Sequence, residues 1–291
     1  MAVAGLAAAG DRTQEPLMIR PLHLFLALVL AAPSLAGEVT LPRTSTHTLT
    51  SEANGVEYEL RVSLPRGYEE SSGSRYPVIY LLDADYSFAI AHNVVEHLAD
   101  RDHLRWAIVV GIAYAGPNRY RLNRTRDYTP TRSMEGGYGP EYQKHSGEAS
   151  SFRTFIREEL IPWVSRSWRT TDERVLVGHS YGGLFAAWTL LTDPSLFSHY
   201  VIVSPSLWYD DRMIFELDAV KAASSRRVYL AVGSREGGSG REMVGDLVRF
   251  GRELEKRGDI VVRREVLEDE THNSVFPSAL SRGIRFVMKG R

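Results

Sequence analysis

Cysteine is absent from all 291 residues, which removes disulfides, lipid attachment at a cysteine and thiol catalysis together. An excess of either charge is missing too: 35 Lys plus Arg face 36 Asp plus Glu, a formal net charge of -1. A chain so balanced has no global field for nucleic acid or another polyanion, so no nucleic-acid partner is expected. Beyond residue 36 nothing approaches the ~20 continuous apolar residues of a membrane-spanning helix, which excludes a multi-pass membrane protein. Linkers and internal repeats are also lacking. What is present, 43% apolar and 24% charged residues, suffices for one large globular domain whose core needs no covalent staples.

The first 36 residues read as a targeting segment. Met18-Ile19-Arg20 supplies a charged start, residues 22–32 an apolar stretch of signal-peptide length, and Ser34-Leu35-Ala36 a small-x-small cleavage site. Asp11 and Glu15 suit a signal start poorly, which points to Met18 as the true beginning. An uncleaved membrane anchor would need a longer apolar run. The expected division is therefore an extension with signal peptide over 1–36 and one domain over 37–291, secreted or periplasmic, with no stable membrane span after signal removal.

The domain is organised around residues 174–188, in which an apolar run, Val175-Leu176-Val177, meets an apolar helical pattern through Gly178-His179-Ser180-Tyr181-Gly182. A strand, a sharp turn and a helix with serine at the apex is the pattern of a nucleophile elbow, where the flanking glycines leave room that a Cβ would occupy. A glycine turn that merely packs strand on helix would look similar. No Lys follows as in a phosphate loop, and the spacing is not that of a dinucleotide fold.

Around this stretch strands are expected at 56–64, 77–82, 106–112, 199–203, 228–232 and 260–266, and helices at 87–100, 151–168, 243–256 and 275–288. Their alternation predicts a doubly wound, mostly parallel sheet with helices on both faces and no large separate cap domain. Residues 114–147 show neither period. A loop of that length after a strand is usually functional, and it is placed over the site.

In such a sheet chemistry gathers at the C-terminal strand ends, so the partners of Ser180 are sought in loops after strands. Of nine histidines, His23 falls in the signal, His47 precedes the domain and His179 lies inside the elbow, whereas His272 follows the last strand, in the order serine, acid, histidine. For the acid, Glu236 sits nearest the end of 228–232. Glu242 and Asp246 read as helix N-terminal acids, and Asp269 is a rival from the histidine's own loop.

These residues resemble the putative-esterase branch of the α/β hydrolases, the group of esterase D, ferric-enterobactin esterases, feruloyl esterases and antigen 85 mycolyltransferases. The likeness runs from about residue 56 to the C-terminus through Tyr76-Pro77-Val78-Ile79-Tyr80-Leu81-Leu82-Asp83, the elbow with Gly183, Ser204-Pro205-Ser206 and Thr271-His272-Asn273. It implies an α/β-hydrolase fold, with Ser180 and His272 as nucleophile and base and Glu236 as the acid. Where the family often has Leu-Asp-Gly, this chain has Leu82-Asp83-Ala84. The amides of Tyr181 and Asp85 are the expected oxyanion donors.

His92 and His97 lack the spacing of a zinc motif, so no metal and no redox cofactor is expected. Arg119, Arg124 and Arg126, interleaved with tyrosines, are either a solvated loop or contacts to anionic substrate groups. The expected activity is serine-dependent hydrolysis of small-molecule soluble, polar or short-acyl esters. Alternatives are a siderophore trilactone esterase, an acyltransferase to an alcohol and a silent binding protein on a hydrolase scaffold.

Overall fold

Among the described residues, five of the eight strands are apolar along most of their length because both of their faces are covered. In the computed structural model, which describes residues 40–70, 73–116, 120–238 and 241–289, β3 (Tyr76–Leu81) and β4 (Ile108–Tyr114) are buried at every position. β5 (Thr170–His179), β6 (His199–Val203) and β7 (Arg226–Gly233) are buried through their C-terminal halves. Such runs belong to the interior of a parallel sheet. β8 (Ile260–Leu267) and β2 (Glu57–Ser63) alternate instead, and β1 (Thr44–Thr50) is the most exposed. The strand order is β1-β2-β4-β3-β5-β6-β7-β8, antiparallel from β1 through β4 and parallel across the rest.

Helices cover both faces. α1 (Ala84–Arg101) and α9 (Val275–Val287) bury Phe88, Phe276, Leu280 and Ile284 against Val109, Val177, Val201 and Tyr229. On the other face α6 (Tyr181–Thr192) and α8 (Met243–Glu255) bring Phe185, Leu247 and Phe250 onto Tyr80, Tyr200 and Leu230. This is the doubly wound sheet expected, and among the described residues no separate cap domain stands on it. All of these elements lie in the unit Leu41–Arg291. The segment read as a signal, 1–36, lies outside the described residues, and none of the described helices is long and apolar enough to cross a membrane.

Three expectations change. Residues 114–147 are not one irregular loop but carry α2 (Tyr120–Tyr128) and α3 (Pro140–Gln143). The helix expected over 151–168 begins as α4 (Ala149–Thr154), widens into a π-helical stretch at Phe155–Leu160 and resumes as α5 (Ile161–Ser167), with Pro162 in its first turn. His47 does not precede the domain: it lies on β1, its ring 5.3 and 5.5 Å from those of Trp163 and Trp168.

After β3 the chain moves to β4 on one side, then crosses to β5 on the other. The carboxyl ends of β3 and β5 therefore flank a topological switch point, where an open α/β sheet leaves a crevice. Leu82 N donates to Val177 O at 3.0 Å and holds those two ends together.

The packing of α9 on the sheet tests this architecture. A Cβ at Gly283 would sit 2.6 Å from Val201 Cγ1 and 2.9 Å from Tyr229 Cδ1, while one at Gly258 would meet nothing within 4 Å. Gly283→Ala should destabilise by about 1–3 kcal/mol through overpacking, lowering Tm by about 2–4 °C per kcal/mol. Gly258→Ala should stay within about 0.5 kcal/mol of the parent in thermal unfolding.

Candidate active site

β5 ends at His179 and α6 begins at Tyr181, so Ser180 alone makes the turn, at φ 60° and ψ -118°. That region is strained for any side chain, and the neighbourhood holds it in place. Ser180 N donates to Val203 O at 3.0 Å, and Ser180 O accepts from Leu184 N at 2.9 Å and Ser206 N at 3.1 Å. A Cβ on Gly178 would lie 2.2 Å from Gly182 O, and one on Gly183 2.9 Å from Pro205 Cα. Gly182 is less crowded, with nothing nearer than 3.3 Å, so the second strict glycine is Gly183. Leu184 N makes the first α-helical bond of α6, which leaves the amides before it, Tyr181 first, for another acceptor.

The loop after β7 supplies a carboxylate. Glu236, buried in a 3₁₀ turn (Ser234–Glu236), accepts at Oε1 from Gly233 N at 2.8 Å and Ser204 Oγ at 2.6 Å, and its Oε2 lies 2.6 Å from His272 Nδ1. A carboxylate at Nδ1 accepts the hydrogen bond of an Nδ1–H, which fixes the tautomer and leaves Nε2 free to act as a base. Gly233 allows this approach, since a Cβ there would sit 2.2 Å from Glu270 O. Arg235 N to Glu270 O and Asp269 N to Ser234 Oγ, both 3.0 Å, fasten the loops after β7 and β8 together. The rival acids point elsewhere: Asp269 is exposed and pairs with Arg235 at 2.8 Å, Asp246 pairs with Arg212, and Glu242 precedes α8.

Ser180, Tyr181, Glu236 and His272 line one cavity of about 820 Å³ together with Tyr86, Tyr120, Tyr138, Trp208, Arg124, Arg235 and Arg241. Asp85, whose backbone amide is the second expected oxyanion donor, stands on the first turn of α1 with its side chain exposed and outside that lining. The expected arginines part company. Arg119 lies outside the described residues. Arg126 forks onto Asp127 at 2.7 and 3.1 Å and reaches Asn123, away from the cavity. Arg124 lines it but is 3% exposed and committed to protein acceptors. Its Nε donates to Asp83 Oδ1 at 2.6 Å, Nη2 to Asp83 Oδ2 at 3.1 Å and His179 O at 3.0 Å, and Nη1 to Tyr138 Oη at 2.8 Å. Burial works against that cation, but Asp83 prevails and holds its pKa well above the ordinary guanidinium value.

Sequence reasoning passed over several residues here. Arg235 and Arg241 are the exposed cations of the lining, and the Arg241 guanidinium stands 4.2 Å over the Trp208 ring. Asp83 was legible only as the end of an apolar run, and Ser204 as the residue after β6. The rule that strand ends carry function could have selected both. His92, weighed as a metal ligand, is buried with Nδ1 2.8 Å from Ser63 Oγ. Among the described residues no group of three His, Cys, Asp or Glu is placed to hold an ion.

Comparison with known proteins gives the family. The model of the family described as "Putative esterase" matches residues 51–271. The ferri-bacillibactin esterase of Bacillus subtilis is 31% identical over 86% of this chain and 91% of its own length. The siderophore enterobactin esterase of Emericella nidulans is 33% identical, over 79% and 89%. Among solved structures, an IroE-like serine hydrolase from Shewanella oneidensis superposes with a TM-score of 0.74 at 31% identity, covering 84% of this chain and 80% of that one.

The buried pair under the cavity yields a stability prediction. Asp83→Ala strands the Arg124 cation in the interior, which should cost about 3–5 kcal/mol, measured as a lower urea midpoint. The double variant Asp83→Ala/Arg124→Met should recover part of the loss.

Proposed function

The chain belongs to the "Putative esterase" family and is a hydrolase acting on ester bonds; on that premise we propose that Ser180 is its nucleophile, His272 its base and Glu236 the acid that orients the base. The observation that carries this assignment is the Glu236 carboxylate, fixed by Gly233 N and Ser204 Oγ and set 2.6 Å from His272 Nδ1, in the cavity that Ser180 also lines. Ser180 Oγ attacks the ester carbonyl carbon while His272 Nε2 takes its proton. The tetrahedral oxyanion is met by the Tyr181 amide at the positive end of α6. His272 then returns the proton to the leaving alcohol. Water repeats the sequence on the acyl-enzyme and regenerates Ser180.

The substrates are soluble, polar or short-acyl esters. A lipase would have to bury a long chain at about 0.8 kcal/mol per methylene against apolar walls, whereas this cavity is walled by tyrosines, Trp208 and arginines. Arg235 and Arg241 take over the anion-recognising role considered for Arg124 and Arg126. The relatives named for siderophore esters make a siderophore trilactone, an aromatic and anionic ester, the specific candidate. The signal-like segment before residue 37 supports action outside the cytoplasm.

Ser180→Ala should abolish fluorophosphonate labelling and lower kcat by about 10³-fold or more with the fold intact. Wild-type turnover in that variant refutes the serine mechanism. Glu236→Gln should lower kcat strongly and Asp269→Asn only mildly; the reverse order would move the acid into the histidine's loop. Arg235→Ala combined with Arg241→Ala should lower kcat/KM for anionic aromatic esters more than for neutral acetyl esters. Equal losses, or a preference of the wild type for long-chain acyl esters, would overturn the substrate assignment.

A further inference from the structure

His272 is held by a single hydrogen bond, from Nδ1 to Glu236, and its side chain is 40% exposed. One bond at one nitrogen leaves the ring free to swing about it, yet a base must keep Nε2 aimed at the serine to within a fraction of an ångström. The other face of the problem is His179. Its ring lies 4.6 Å from that of His272, centroid to centroid, tilted by 36°. It is 7% exposed and backed by Phe276 at 5.7 Å. Its Nδ1 is 2.9 Å from Tyr86 Oη, while its buried Nε2 has no hydrogen-bond partner among the described residues.

We infer that His179 is a positioning residue, a neutral aromatic platform against which the His272 imidazole is held in the plane that aims it at Ser180. The inference rests on the catalytic roles proposed above. Two packed aromatic rings restrict each other's rotation, and the Tyr86 bond fixes the lower ring in turn. Neutrality is required, because an imidazolium at position 179 would repel the one that forms on His272 during attack. The titratable groups facing His179 favour that state: Tyr86 from α1, His272 from the loop before α9, and Arg124 from α2, which with Asp83 braces the His179 carbonyl. Burial, with the His272 and Arg124 charges, holds its pKa well below the ordinary imidazole value. A contact with the His272 backbone works toward the charged form of His179 but does not prevail.

Kinetics of His179→Ala and His179→Phe on a soluble chromogenic ester test the role, with folding checked by circular dichroism. His179→Ala should lower kcat and the fluorophosphonate labelling rate together by about 10²-fold, the scale of a misplaced catalytic group, with KM little changed. His179→Phe, which keeps a ring under His272, should recover most of that loss. In the wild type, log(kcat/KM) should fall on the acid side with a slope of about one, because a His179 that stays neutral adds no second protonation. A folded alanine variant with wild-type kcat, a phenylalanine variant no better than alanine, or an acid slope of two overturns the inference. If the alanine variant does not fold, His179→Phe and the acid slope decide alone. A wild type that fluorophosphonate fails to label would instead refute the nucleophile assignment; normal labelling in both variants refutes only the platform.

Discussion

The site hangs on one buried ion pair. Asp83 is fully buried at the end of β3, in a left-handed conformation at φ 56°, and Arg124 reaches it from α2. Two charges taken out of water are tolerated only if their remaining donors and acceptors find partners. Here Tyr120 Oη donates to Asp83 Oδ1 at 3.0 Å, and Arg124 donates onward to Tyr138 Oη and His179 O. The pair therefore joins three things: the end of β3, the α2–α3 segment that walls the cavity, and the carbonyl just before Ser180. Tyr86, Tyr120 and Tyr138 stand around it and become the near wall of the cavity. The conformation of the elbow is thus braced from beneath by the pair and from the side by the turn after β6.

That turn does two jobs. Ser206 N fixes the Ser180 carbonyl, while Ser204 Oγ reaches Glu236 Oε1 across the sheet end. Ser180 and Glu236, 56 residues apart in sequence, are referred to the same three residues of backbone after β6. Gly233 then lets the β8 loop lie against the β7 turn closely enough for His272 to meet Glu236. Four consecutive strand ends are thus cross-connected at their carboxyl side, in a chain that has no cysteine for a disulfide.

This cross-connection explains what the sequence made legible. Strands β3 to β7 were readable because burial on both faces makes them continuous apolar runs, and Ser180, His272 and Glu236 followed from strand ends and chain order. β1 escaped because Thr44–Thr50 is written in threonine rather than apolar residues: a half-exposed edge strand can be built on β-branching alone. α2 escaped for the opposite reason. Its buried face is Asn123, Arg124, Thr125, Asp127 and Tyr128, so the periodicity of burial is carried by polar side chains that the hydrophobic pattern cannot register. The roles of Arg124 and Arg126 were misread on the same ground. An arginine beside tyrosines in a polar segment looks solvated or ligand-facing until the carboxylate it serves, 41 residues earlier for Arg124, is known.

The consequence is a cavity whose charge differs from that of the chain. Overall the protein is near neutral at -1, and its one lining carboxylate, Glu236, faces inward to His272, Gly233 and Ser204. Arg124 is offset by Asp83. Arg235 is shared with Asp269 at the exposed rim, and Arg241 rests on Trp208 with no acid beside it in the lining. Arg241 therefore places an exposed cation beside an aromatic wall of the cavity in a chain that is near neutral overall. In the proposed function, a cation there attracts anionic esters. The buried Arg124 beneath, offset by Asp83, instead braces the carbonyl that precedes Ser180.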